Sequence, residues 1–389
     1  MKHIFEDTAT AFALKSDTEL ERAYFLFKLI ASEPLVKVGT VVANFAIKAH
    51  LPVEGLIRAT VFDHFCAGVS EDDSLEVVDK LFSKHVYSIF DYSVEGKVEE
   101  FSFDQIRDRI LNIFNYLTHR EALPFAVFKP TAIGDIELYR KKSLGQISTD
   151  KDQQAWDRIV KRFEAICEQA AHYHIPVLVD AEESWMQDAA DALLEQLMER
   201  YNKEEVIVIN TIQAYRWDRL AYLEGLTKRA KEKGFKIGVK LVRGAYLEKE
   251  NDRANKLGYT SPICASKSDT DNNYNSILKF MMEHIDDYLI FAGTHNEESS
   301  QLLMKLMESA NLQNNDPRIW FGQLYGMSEH ISFNLSKEHY NVAKYLPFGP
   351  VKDVMPYLIR RAEENTSVAG QTGRELRLLD SEKKRRRGL

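Results

Sequence analysis

Three cysteines, Cys66, Cys167 and Cys264, are all that this 389-residue chain holds. They stand too far apart for a zinc-binding spacing or a disulfide framework, so reduced, intracellular thiols are expected. No uninterrupted apolar stretch reaches the roughly 18 residues of a membrane span, because Lys, Arg, Glu and Asp break up the apolar N-terminal segments. The opening MKHIFEDTATAF has acids where a secretory or transit segment needs apolar or basic residues, which points to a cytoplasmic protein. Basic charge is short as well. With 51 Lys and Arg against 59 Asp and Glu the formal net charge is −8, which argues against nucleic acid as the main partner. No fixed-period repeat occurs, no G-x-G-x-x-G follows an early strand-like run, and no G-x-S-x-G marks a serine hydrolase. Histidines never form H-x-x-x-H or a 2-His-1-carboxylate set, so the DAEE run at 180–183, His172, His174 and His295 do not make a metal site, and no metal is expected.

What is present suits small-molecule chemistry on a large core. Apolar residues make up 44% and charged residues 28%, and the length accommodates a barrel of roughly 250 residues plus a further module. From Thr18 to about Lys84, LERAYFLFKLI, VGTVVANFAIKAH and GLIRATVFDHF repeat apolar residues at steps of three and four, so residues 1–85 read as a helical module. From Val86 the texture changes to eight β-branched and aromatic runs separated by amphipathic helical stretches. They begin at Val86, Pro124, Ile175, Glu205, Phe235, Tyr288, Arg318 and Asn341. Eight is the number that closes a parallel barrel, so the expected class is α/β, a (βα)8 TIM-like barrel over 86–370. Between the seventh and eighth runs only SEHISFNLSKEHY remains, enough for a short helix. An open doubly wound sheet is the alternative.

Barrel chemistry sits at the C-terminal ends of the strands. Seven of the eight runs end on polar groups: Lys129, Asp180, Gln213, Lys240 with Arg243, Thr294 with His295, Gln323, and Tyr345. In KLVRGAY the two cations precede Gly244 and Ala245, whose small size lets a planar ligand approach the backbone. The cations suit an electron-rich cofactor edge or a pyrophosphate; the alternative is a strand-end salt bridge to the DAEE run. After the eighth run, Asp353 is a candidate cap and Pro356 suits a first helical turn. Tyr357, Arg360, Arg361 and Glu364 then share one helix face. Adjacent guanidinium groups suit a carboxylate between them, unless the face is simply solvated.

Together FKPTA, VDAEE, IQAY, KLVRGAY, GTHN, FGQLYGM, YLPFGP and YLIRRAEENTS resemble the proline dehydrogenase (proline oxidase) family, in order and at comparable spacing, from about Val86 to Ser367. The Lys-then-Arg order of KLVRGAY is nearer the mitochondrial-type branch, and the absence of an aldehyde-dehydrogenase segment resembles the single-function form. The resemblance implies a distorted (βα)8 barrel holding non-covalent FAD, with the last barrel helix across its mouth. It further implies oxidation of L-proline to Δ1-pyrroline-5-carboxylate by hydride transfer, with quinone as electron acceptor. It makes Arg360, Arg361 and Lys129 the partners of the proline carboxylate, and Leu324, Tyr345 and Tyr357 the enclosure of the ring. Asp180 is implied beside the flavin and Lys240 near its reactive edge, both as catalytic groups. Gln213, Arg243, Gly244, Ala245, Thr294, His295 and Glu364 are implied to hold the remainder of FAD. A relative acting on hydroxyproline, or a carboxylate-binding barrel without redox chemistry, would be the other outcomes.

The segment 371–389 ends in SEKKRRRGL, five consecutive basic residues in an acidic protein. One reading is a solvated, disordered end. The other is attachment to anionic lipid at the inner face of a membrane, to which each Lys or Arg adds about 1 kcal/mol near the surface.

Overall fold

The computed structural model describes residues 4–32, 34, 54–92, 99–367 and 371–388. Each of the eight β-branched runs forms a strand: β1 (Val86–Tyr92), β2 (Ala126–Phe128), β3 (Val177–Val179), β4 (Val208–Gln213), β5 (Ile237–Val242), β6 (Tyr288–Gly293), β7 (Ile319–Leu324) and β8 (Val342–Phe348). The strands pair in parallel, and the strand order is β1-β8-β7-β6-β5-β4-β3-β2. From β2 to β8 each strand lies beside its neighbours in sequence, and β1 pairs with β8, which is the nearly closed (βα)8 barrel and excludes the doubly wound alternative. Strands β3, β4 and β8 are buried at every position. They read as near-continuous apolar runs because a parallel sheet covered by helices has no wet face.

Among the described residues, the helices of eight residues or more are α1 (Asp17–Ile30), α2 (Glu71–Phe82), α3 (Glu100–Leu117), α4 (Ile136–Ser143), α5 (Asp150–Tyr173), α6 (Ser184–Tyr201), α7 (Arg219–Lys233), α8 (Leu247–Leu257), α9 (Lys267–Glu283), α10 (Glu297–Ser309), α11 (Glu329–Lys337), α12 (Val351–Ser367) and α13 (Gln371–Arg386). Local chemistry sets their ends. Ser16 and Glu19 form a reciprocal capping box on α1, while Gly234 and Gly258 close α7 and α8 in the left-handed conformation. The thin interval before β8 forms α11, nine residues long. The run VGTVVANFAIKAH lies outside the described residues.

By contacts the chain forms two compact units, Met1–Glu95 with Gln323–Leu389, and Gly96–Gly322. The second holds β2 to β6 and most of β7. Its interior is filled by aromatic rings: Phe125 meets Phe291 and Trp320 edge-on. Gly322 has no side chain because a Cβ there would come within 2.1 Å of the Phe291 ring.

The first unit joins the N-terminal helices to β1, β8 and α11 to α13. Here two expectations are corrected. The basic tail is neither disordered nor simply solvated: Leu378 and Leu379 are buried with Ala11, Phe12, Leu20, Ala23 and Phe27. Its cations also meet carboxylates, Lys383 and Arg387 at Glu21, Lys384 at Asp380, Arg385 at Glu382, and Arg386 at Asp17 and Glu382. The second correction concerns α12, which begins at Val351. Asp353 lies in its first turn rather than at the cap, and Pro356 lies inside the helix. The start moves back because the Pro350 carbonyl accepts from the N–H groups of Asp353 and Val354. Among the described residues no helix is long and apolar enough to cross a membrane.

Candidate active site

In the unit 96–322, the strand ends carry a compact ionic cluster. Lys129 directly follows β2, Asp180 directly follows β3, and Lys240 lies within β5. The Asp180 N–H donates to the Phe128 carbonyl at 2.9 Å, so Asp180 extends the ladder and its side chain is fixed by the sheet. One carboxylate oxygen is 2.5 Å from Lys240 Nζ and the other 3.5 Å from Lys129 Nζ, with all three side chains at least four-fifths buried. Burial would raise the Asp180 pKa, but the two ammonium groups outweigh it and hold the carboxyl below its ordinary range. Two ammoniums and one carboxylate leave one positive charge at the ends of β2, β3 and β5, which suits an anionic ligand. Of the two readings of KLVRGAY, the salt bridge to the DAEE run is therefore present, made by Lys240 alone.

Arg243 is held elsewhere. Its three guanidinium nitrogens donate to Asp271 at 2.7 Å, the Thr294 hydroxyl at 2.7 Å and the Ser299 hydroxyl at 3.0 Å, with the Tyr274 ring 4.5 Å away. Thr294 is buried and also accepts from the Asn296 N–H. His295 is half-buried beside it. Gln213 is buried at the end of β4, its amide 3.4 Å from the Tyr215 hydroxyl. Gly244 has φ +127°, and a Cβ there would come within 2.6 Å of the Tyr215 ring. The sequence argument had small residues admitting a ligand at Gly244 and Ala245. The structure adds an internal reason at Gly244, the close approach of Tyr215, while Ala245 is exposed.

In the unit 1–95 with 323–389, Tyr357, Arg360 and Arg361 lie on α12. The Arg361 guanidinium sits 5.3 Å from the Tyr357 ring centroid and the residue is 8% exposed. Arg360 is half-buried, so neither belongs to a freely solvated face. Tyr357 is anchored in an apolar cluster with Phe62, Phe65, Met327, Val354 and Leu358, and Leu324 packs against that cluster. Tyr345 is buried in β8, and its carbonyl accepts from the Tyr325 N–H at 2.9 Å. The Glu364 side chain lies outside the described residues.

Sequence reasoning singled out Asp180, Thr294 and Tyr357 but gave no supporting role to the other groups that hold these residues. Glu182 accepts from the backbone and the hydroxyl of Thr131. Asp271 and Ser299 orient Arg243. Lys344, fully buried next to Tyr345, donates to the Met327 carbonyl at 2.8 Å and lies 3.6 Å from Glu329. Glu375 on α13 accepts from the Ser328 N–H at 2.6 Å. The only signal was indirect: Glu182 and Thr131 fall inside motifs, DAEE and FKPTA, already quoted for other members. Among the described residues no group of three His, Cys, Asp or Glu side chains is arranged to hold a metal ion.

Comparison with known proteins gives a consistent picture. The family model described as proline dehydrogenase matches residues 74–374. The carbapenem antibiotics biosynthesis protein CarD of Pectobacterium carotovorum subsp. carotovorum is 33% identical, the match covering 86% of this chain and 86% of that protein. The mitochondrial proline dehydrogenase 1 of Arabidopsis thaliana is 30% identical, across 98% of this chain and 86% of its own. Among solved structures, proline utilization A from Bdellovibrio bacteriovorus inactivated by N-propargylglycine matches with a TM-score of 0.71 at 22% identity, over 94% of this chain. This chain spans 39% of that longer protein, and the likeness is one of fold.

Proposed function

The chain belongs to the proline dehydrogenase family, and on that premise we propose that it oxidises L-proline to Δ1-pyrroline-5-carboxylate with FAD as cofactor and quinone as the final electron acceptor. The observation that carries this reading is the buried Lys129–Asp180–Lys240 cluster, with its surplus positive charge, at the C-terminal ends of three barrel strands.

The residues present fit a flavin. Adjacent strands β4, β5 and β6 end in an amide (Gln213), an ammonium (Lys240), a guanidinium (Arg243) and a hydroxyl (Thr294), a donor set suited to an electron-rich ring and a pyrophosphate. Gln213, Lys240, Arg243, Gly244, Ala245, Thr294, His295 and Glu364 would hold it. When bound, FAD supplies the acceptor for the hydride leaving C5 of proline.

The remaining work belongs to the protein. Arg360, Arg361 and Lys129 are proposed to take the carboxylate, and Leu324, Tyr345 and Tyr357 to enclose the ring. Holding the substrate this way converts binding into orientation, which contributes several kcal/mol toward the barrier, about 7 in well-aligned cases. Lys240, fixed by Asp180, keeps positive charge where negative charge develops during transfer. The proline nitrogen must be neutral to release hydride, so turnover should rise from neutral toward alkaline pH; a flat profile between about pH 6 and 9 would contradict this.

The visible spectrum of the purified protein tests the reading directly. A yellow preparation whose absorbance bleaches on anaerobic addition of L-proline supports it. A colourless protein that FAD cannot reconstitute would leave a carboxylate-binding barrel instead.

A further inference from the structure

Glu182 is a titratable neighbour of the lysine–aspartate cluster for which the proposed reaction has no task. It lies two residues beyond Asp180, in the loop between β3 and α6, and is 5% exposed. Its carboxylate accepts from the Thr131 N–H at 2.9 Å and from the Thr131 hydroxyl at 2.7 Å. Thr131 belongs to the helical turn Pro130–Ala132, which starts immediately after Lys129. The Tyr139 hydroxyl holds the same turn from α4, donating to the Pro130 carbonyl at 3.1 Å.

Glu182 is itself anchored. Its N–H donates to Gln187 Oε1 at 3.1 Å, the Gln187 amide donates to Asp191 at 2.8 Å, and Asp191 accepts from Arg219 at 2.8 Å and from Asn210 at 2.9 Å. A continuous run of buried polar contacts thus connects α7 and α6 to the turn that carries Lys129. Hydrogen bonds linked in this way restrict one another's geometry, although Asn210 at the far end of the run keeps a buried Oδ1 without a hydrogen-bond partner among the described residues.

We infer that Glu182 is a positioning residue: by clamping Thr131 it fixes where Lys129 sets its ammonium beside Asp180, and so governs how strongly this end of the barrel captures a small organic carboxylate. The inference deepens the proposed function and rests on the assignment of Lys129 to the substrate carboxylate.

The clamp is also titratable. The charged and titratable groups that act on it are Lys129 after β2, Glu183 in its own loop and Tyr139 on α4, while Arg162 on α5 acts on Tyr139 and Lys249 on α8 is paired with Glu183. Burial, opposed by the two Thr131 hydrogen bonds, pushes the Glu182 carboxyl up to about 7. With the proton on, the cluster keeps its surplus positive charge. With the proton off, the Glu182 carboxylate offsets that charge through its electrostatic interaction with Lys129. Carboxylate capture should therefore weaken as pH rises through neutrality, opposite in direction to the demand for a neutral substrate amine.

The test separates these effects by using cyclopentanecarboxylate, a ring acid with no amine, titrated calorimetrically into the flavin-loaded protein. For the wild type, Kd should rise about fivefold between roughly pH 6 and 8, the scale of one unit charge acting through partly buried protein. Glu182→Gln, neutral throughout, should flatten that dependence. Thr131→Val should weaken binding about tenfold at every pH while kcat for proline stays within about twofold. If Glu182→Gln fails to fold, the Thr131→Val result alone decides. An unchanged pH dependence in Glu182→Gln, wild-type affinity in Thr131→Val, or no carboxylate binding by the wild type overturns the inference. Binding that behaves as described without any proline turnover would instead overturn the proposed reaction and leave the clamp standing.

Discussion

Arg361 lays its guanidinium over the ring of Tyr357, one turn earlier on α12 and 5.3 Å from the ring centroid. The stacking limits the rotamers open to a long side chain, so less freedom is lost when a carboxylate binds. We expect Arg360→Met and Arg361→Met each to raise KM for L-proline about a hundredfold, the scale of truncating one partner of a hydrogen-bonded charge pair. Flavin content should be unchanged. Tyr357→Phe, which keeps the stacked ring, should alter KM little. Normal proline turnover in both arginine variants would remove them from the substrate site.

Among the described residues, Lys240→Met leaves buried Asp180 with the more distant Lys129 as its ionic partner. The expected cost is about 3 kcal/mol of stability near neutral pH, measurable as a lower urea midpoint. Because the folded-state pKa of Asp180 is depressed, the pair contributes in full above the ordinary aspartate pKa and loses its contribution as pH falls through the lowered value. The gap between wild type and variant should therefore narrow in acid. A gap that widens on acidification would contradict the ionic assignment.

Asp218 offers a second acid-sensitive contact. Burial opposes its ionisation, yet hydrogen bonds from Arg219 and Arg216 hold its carboxyl down from 3.8 to about 2. Its stabilisation is present above pH 3.8 and disappears on the way to pH 2. Asp218→Asn should be less stable than wild type at neutral pH and converge with it at the acid end. Melting curves that stay equally separated over this interval would show that the carboxylate charge is irrelevant.

The helix α13 should be a stability element rather than a lipid anchor. Leu379 is 1% exposed in its cluster with the N-terminal helices, so Leu379→Ala should cost about 2–5 kcal/mol. Reversing the exposed cations Lys384 and Arg385 to glutamate should leave co-sedimentation with anionic liposomes unchanged. A marked loss of sedimentation would restore the lipid reading of the basic tail.

Tyr345 is nearly fully buried in β8, and the proposed function has it enclose the substrate ring. Tyr345→Ser should open space there and raise the turnover of hydroxyproline relative to proline about tenfold, the scale of a pocket contact. An unchanged ratio of kcat/KM values would place the ring elsewhere.

The sequence told most about what periodicity and local composition control. Eight apolar runs became eight strands because a covered parallel sheet demands buried residues on both faces. The ends of elements were less legible: Pro356 looked like a helix start, yet the Pro350 carbonyl opens α12 a turn earlier. The order of the tail was missed because five adjacent cations dominate its composition, whereas Leu378 and Leu379 decide its packing. Lys129, Asp180 and Lys240 could each be named from strand ends. Their supports could not, since Thr131 meets Glu182 across 51 residues and Ser328 meets Glu375 across 47. Spacing rules are silent about such distant partners.

The ladder that joins Val86 to Val342 and runs to Tyr92 and Phe348 has a kinetic meaning. A nascent chain makes β1 early but cannot pair it with β8 until every intervening βα unit has been synthesised. During that wait β1 exposes an unsatisfied backbone edge of the kind that recruits other strands. High contact order slows folding and lengthens such exposure, so chaperone supply and growth temperature should govern the soluble yield more than the strength of any single contact.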